Sequence, residues 1–171
     1  MSRYRIIVST LLAVCLTAPA LAHGQDLYNQ VELRQHMLKL TLWLETHSDM
    51  NTQNIPLPNI EILHEDELCK MAFSDKVATN SQICSQLEGL YNYMDKVVYI
   101  DEDVNLNSIE GKLVLLHELV HYYQFEYHYV DDKIHSYDIE VLPRQFEQQY
   151  LLECIMHGKQ TEDSSPLYDI C

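Results

Sequence analysis

His117, Glu118 and His121 lie in the stretch LLHELVHYYQ, residues 115–124, whose other members are apolar, aromatic or an amide. On a helix of 3.6 residues per turn, positions i and i+4 share a face, so both imidazoles can reach one metal ion. Zinc hydrolases use this spacing: three protein ligands hold the metal, and a water of lowered pKa takes the fourth position. Glu118, next to the first histidine, is then the general base that takes the water's proton and passes it to the leaving amine. The competing reading is a helix with incidental polar residues. Three such groups among leucines would then need three separate hydrogen-bond partners, at a desolvation cost of roughly 1–3 kcal/mol for each one missing.

A third ligand must come from elsewhere. His128 is seven residues beyond His121, on the same stripe but about 10 Å further along the axis, and no glycine after His121 turns the chain back. His135 falls in a loop and reads as a surface histidine. Glu147, in PRQFEQQYLLEC, can be aimed at the metal by a last helix packed antiparallel to the first, with Glu140, about two turns earlier, as the alternative. Glu153 reads as solvated. Of the 12 tyrosines most are packing residues; one could stabilise an oxyanion, but the sequence assigns none, Tyr137 in the loop between the two helices being the least implausible.

These side chains need elements to hold them. Asn107 and Glu110 have capping-box spacing and open the motif helix, which runs through Ile109, Leu113, Leu116 and Val120 towards Tyr127. Before it, LYNYMDKVVYID reads as a β-hairpin with its turn near Met94-Asp95, and strand 97–101 is expected to lie along the cleft, where an extended substrate can pair with it. Pro143 suits the first turn of a last helix reaching about Met156. Upstream, Leu27, Val31, Leu38, Leu42 and Leu44 recur helically over 27–46 after Asp26 as N-cap. The turn-rich SDMNTQNIPLPN then leads into a short strand, 60–63, and a second helix through Phe73, whose first turn holds Glu65, Asp66 and Glu67. Residues 74–88 read as a loop with a helical turn around Cys84. The order implies an α+β fold, a small antiparallel hairpin or sheet packed on a helical bundle.

MSRYR, a short apolar run and Ala20-Leu21-Ala22 read as a signal peptide over residues 1–22, cleaved before His23. A lipoprotein reading through Cys15 is weaker, because Val14 is large for the position before the cysteine. No later run is apolar enough to span a membrane, so the product is expected to be secreted or periplasmic. Residues 23–171 have the size of one domain. Loss of Arg3 and Arg5 moves the formal charge from −15 to −17, which disfavours nucleic acid and anionic membrane surfaces as partners. Four cysteines remain, Cys69, Cys84, Cys154 and Cys171, an even number suited to two disulfides in an oxidising compartment. Short closures favour Cys69 with Cys84 and Cys154 with Cys171. No C-x-x-C pair suggests a cysteine zinc site.

From about Leu90 to Leu152 the chain resembles the small gluzincin-type zinc peptidases, the minigluzincin-like secreted bacterial proteins. GLYNYMDKVVYID stands for their hairpin, HELVHYYQ for the H-E-L-x-H-x-x-Q helix and RQFEQQYLL for the helix bearing the glutamate ligand. Gln148 and Gln149 follow Glu147 where those families commonly carry a small residue. The resemblance implies a zinc metallopeptidase acting on peptides or proteins, with His117, His121 and Glu147 on Zn2+ and Glu118 as base. The alternative is a non-catalytic extracytoplasmic domain in which the same zinc ligands serve stability or binding.

Overall fold

The computed structural model describes residues 20–50, 52–73, 84–126 and 139–158, together with Cys171. Helix α1 spans Ala20–His47, strand β1 Asn59–Leu63, helix α2 Glu65–Phe73, β2 Gly89–Asn92, β3 Val97–Asp101, helix α3 Ile109–Glu126 and helix α4 Val141–Gly158. The fold is α+β. No described helix is long and apolar enough to cross a membrane.

Helix α1 runs N-terminal of the Asp26 cap expected from sequence, back to Ala20, where the described residues begin. The helix thereby crosses the cleavage point expected after Ala22; residues 1–19 of the expected signal peptide lie outside the described residues. Its buried face also differs from the expected one. Leu33, Met37, Leu40, Trp43 and Leu44 face the core, while Val31, Leu38 and Leu42 are exposed. Two apolar stripes compete on this helix, and the one bearing tryptophan and methionine removes more area from water.

The sheet has the order β1-β3-β2. β2 pairs antiparallel with β3, as the hairpin signal predicts, but β1 pairs parallel to β3, so the sheet is mixed rather than antiparallel throughout. The parallel pairing follows from the crossover through α2 that separates β1 from the hairpin, since adjacent parallel strands need a long connection. The run VVYI is buried on both faces because β3 is central: Val98 and Ile100 meet α1 and α3, whereas Val97 and Tyr99 meet Leu68 of α2. A central strand has no free edge, so strand 97–101 cannot accept an added chain; the free edge beside the hairpin belongs to β2.

Helix α3 is enclosed by α1, the sheet and α4, which accounts for its apolar residues on nearly every side. Its N-cap is Ser108 and not Asn107: Ser108 Oγ accepts from Gly111 N–H at 3.1 Å, and Ser108 O accepts from Lys112 N–H at 3.1 Å. Asn107 instead donates to Glu32 on α1 at 3.1 Å. Gly111 is required by space, because a Cβ there would collide with the Asn105 carbonyl. Tyr122 OH donates to Pro56 O at 2.6 Å and fixes α3 against the segment entering β1.

Both expected disulfides are present. Cys69–Cys84 joins α2 to the turn before β2, with Cα atoms 5.3 Å apart, and Cys154–Cys171 fastens Cys171 to α4 at 5.5 Å. Lys112 Nζ donates to Cys171 O at 2.6 Å, so this second closure also rests on α3.

Candidate metal centre

Helix α3 sets His117 and His121 one turn apart with ring centroids 4.7 Å and Nε2 atoms 3.0 Å from each other. Glu140, just before α4, places Oε2 3.2 Å from His117 Nε2 and Oε1 3.3 Å from His121 Nε2. Tetrahedral donors at zinc-ligand distances from one ion are about 3.3 Å apart, so the donor types and spacing fit a metal ion. Among the described residues this is the one group of three such side chains able to hold an ion.

The outer nitrogens of both rings are also engaged. Glu147 on α4 lies 2.5 Å from His117 Nδ1. A carboxylate accepts, so Nδ1 carries the proton and, in the neutral ring, the Nε2 lone pair faces Glu140 and His121. His121 Nδ1 lies 3.2 Å from Gln124 Oε1, and Gln124 Nε2 donates to Ile139 O at 3.3 Å. Burial lowers the pKa of His121, helped by the neighbouring His117. Burial pulls His117 down as well, but the Glu147 hydrogen bond and the charges of Glu118, Glu147 and Glu140 outweigh it and raise its pKa.

Glu118 is next to His117 in sequence and so is turned about 100° around the helix, towards β2. Its Oε2 accepts the Tyr91 N–H at 2.6 Å. Gly89 makes the approach possible: a Cβ there would sit 3.0 Å from Glu118 Cγ and 3.1 Å from Oε1. The carboxyl is 7% exposed, and burial lifts its pKa from 4.5 to about 7 against the opposing pull of His117 and the Tyr91 N–H. A cavity of about 310 Å³ opens over Glu118, His117, His121 and Glu140, walled by Leu90, Tyr93, Phe125 and Ile139. Tyr93 stacks flat on Phe125 at 5.3 Å.

Residues 29–139, which carry most of the first helix, the sheet and all of α3, match a family described as a domain of unknown function, DUF6647. The chain belongs to the DUF6647 family. No curated protein and no solved structure matches it. The matched span of this DUF6647 protein includes His117, Glu118, His121 and Gln124 and stops one residue short of Glu140.

The helix spacing thus brings His117 and His121 together and sets Glu118 beside them. Of the two glutamates weighed for the third position, Glu140 is the one shared by both inner nitrogens, and Glu147 meets the outer nitrogen of His117. Glu140, at the entry to α4, faces the inner nitrogens of both rings, while Glu147 on α4 meets His117 from its outer side. Glu153 is only partly exposed and accepts from Trp43 Nε1 at 2.8 Å. His128, His135 and Tyr137 lie outside the described residues. Sequence reasoning gave no role to Gln124, the last residue of the H-E-L-x-H-x-x-Q pattern, and did not reach the Tyr91 N–H. Gln124 had a visible signal, since it falls three residues after His121 and hence on the same face; a backbone N–H has none.

Proposed function

We propose that this DUF6647 protein is a secreted zinc-dependent peptidase. The observation that carries the reading is the convergence of two imidazole Nε2 atoms, 3.0 Å apart, with the Glu140 carboxylate, beside a buried glutamate that is not part of that group. Structural histidine clusters have no need of such a glutamate. In this reading His117, His121 and Glu140 hold the ion and Glu147 orients His117 from behind. Zinc is favoured by two imidazoles with one carboxylate. Bound there it supplies Lewis acidity, polarising a scissile carbonyl and acidifying water.

The chain's own residues account for the proton movements. Tyr91 N–H fixes Glu118 Oε2, which leaves Oε1 for exchange with solvent in the cavity. Burial holds the Glu118 carboxyl above the ordinary carboxylate range, which suits a group that takes a proton from water and returns it to a leaving amine. The amide C–N bond breaks, the carbonyl carbon gains the water oxygen, and the two water protons end on the amine and, after release, in solvent. An extended peptide has the outer edge of β2 beside the cavity, with the Tyr91 N–H already committed to Glu118. Two disulfides agree with an oxidising, extracytoplasmic setting.

Glu118→Gln in the mature protein tests this. Zinc content stays at one equivalent, and hydrolysis of a denatured-protein or mixed-peptide substrate falls by about 10²- to 10⁴-fold, the range for a lost general base. A wild-type protein that holds a full equivalent of zinc and cleaves nothing that its Glu118→Gln variant leaves intact would point to the non-catalytic zinc domain instead.

A further inference from the structure

Gln124 makes two hydrogen bonds from a position that is 7% exposed, and their directions are not interchangeable. The Ile139 carbonyl can only accept, so the Gln124 amide must turn its NH2 group towards it. The Gln124 oxygen then faces His121 Nδ1, and an oxygen there is satisfied only if that nitrogen carries the proton. A neutral imidazole protonated at Nδ1 has its lone pair on Nε2, the atom 3.0 Å from His117 Nε2 and 3.3 Å from Glu140. The same amide holds the backbone at Ile139, one residue before Glu140.

We infer that Gln124 is a positioning residue for the metal centre, one side chain that sets the tautomer of His121 and the placement of Glu140 together. The inference rests on the metal reading of the site but not on any peptidase activity. Glu147 and Gln124 divide the work differently. Glu147 holds one ring through a charge, and its loss leaves Glu140 in place. Gln124 is neutral, and its loss frees a ring on α3 and the chain entering α4 at once. The geometry also explains why a glutamine suits the position better than a glutamate: a carboxylate would satisfy His121 Nδ1–H but set an acceptor against the Ile139 carbonyl.

Two variants separate these roles. The metal-free wild-type protein should show His121 as the Nδ1–H tautomer in long-range 1H–15N correlation spectra. Gln124→Met keeps the length of the side chain, and should give a mixture of tautomers at His121 and weaken zinc binding by about 10- to 100-fold, the usual cost of an outer partner. Gln124→Glu should keep the Nδ1–H tautomer, because an acceptor still faces that nitrogen, yet bind zinc more weakly than wild type because the tie to Ile139 is gone. Melting of the metal-free variants monitors folding independently. An unchanged His121 tautomer and unchanged zinc affinity in folded Gln124→Met would overturn the inference. A wild-type protein that binds no zinc while its tautomer responds to Gln124→Met would refute the metal reading and leave the tautomer control standing.

Discussion

Two histidine–glutamate clusters bind helix α4 to its neighbours, and they are built on opposite principles. Between α1 and α4, His47 Nε2 lies 3.1 Å from Glu153 Oε1, its Nδ1 lies 2.7 Å from Trp43 O, and Trp43 Nε1 donates to Glu153 Oε2. Each polar atom there lies within hydrogen-bond distance of another protein atom, and the ring stacks on Trp43 at 4.4 Å. Between α3 and α4, the outer nitrogens of His117 and His121 are likewise satisfied, but the inner ones face each other and a carboxylate. Two lone pairs at 3.0 Å with an anion beside them would repel one another, and a proton or a metal ion between them relieves that repulsion. The first cluster is closed by protein partners alone; the second groups three donors that could hold a metal ion.

The sharpest way to break this comparison is to remove one inner donor. His117→Ala and His121→Ala should each bring the zinc content of the purified mature protein far below one equivalent, since either leaves a two-ligand site. If both retain a full equivalent by elemental analysis, the α3–α4 cluster is as closed as the other and the metal reading fails.

The two carboxylates give a smaller and more discriminating contrast. Glu140→Gln should weaken zinc binding by more than the roughly 10- to 100-fold expected for Glu147→Gln, because the first removes a ligand and the second an outer partner. Competitive titration against a zinc indicator measures both. The reverse order would make Glu147 the ligand and require the His117 ring to turn about its Cβ–Cγ axis to present its other nitrogen.

What could be read from sequence follows the same division. Local spacing reveals what one helix does, so His117, Glu118 and His121 were legible, as were the Glu65–Phe73 helix, the hairpin and both disulfide pairings. Relations between elements were less legible. The parallel placement of β1 beside β3 depends on a crossover that no periodicity encodes. The choice between Leu33-Met37-Leu40 and Val31-Leu38-Leu42 as the buried stripe of α1 depends on what α3 and α4 offer it. Glu140 and Glu147 differ by seven residues, two turns of a continuous helix, so only the path of the chain into α4 distinguishes their roles.

Glu118 allows the comparison to be tested through pH. Its folded pKa of about 7 lies above its ordinary 4.5, so between those values the folded state binds more protons than the unfolded one. Stability of the metal-free protein should therefore fall as pH rises through this window, and the loss should be complete above about 7 and absent below 4.5. Metal-free Glu118→Gln lacks that loss and should gain on wild type by roughly 3 kcal/mol at pH 8, with the gain fading towards pH 4.5. Denaturant titrations at both pH values compare them. An equal difference at the two would mean that Glu118 is solvated in the metal-free protein.

The closed cluster carries the smallest effect. Trp43 is 2% exposed, and Glu153→Ala leaves its indole N–H facing a site that water can partly enter, because the Glu153 side chain is 31% exposed. The cost should be about 1 kcal/mol, with His47 losing its Nε2 partner in the same step. Trp43 is the sole tryptophan of the chain, so its fluorescence reports this environment directly and should change on substitution. Zinc stoichiometry should stay at one equivalent, because Glu153 acts on the face of α4 turned to α1 while Glu147 acts on α3. A Glu153→Ala variant that folds, keeps its tryptophan emission and yet loses zinc would show that α4 transmits strain from one cluster to the other, and the two could no longer be treated as independent.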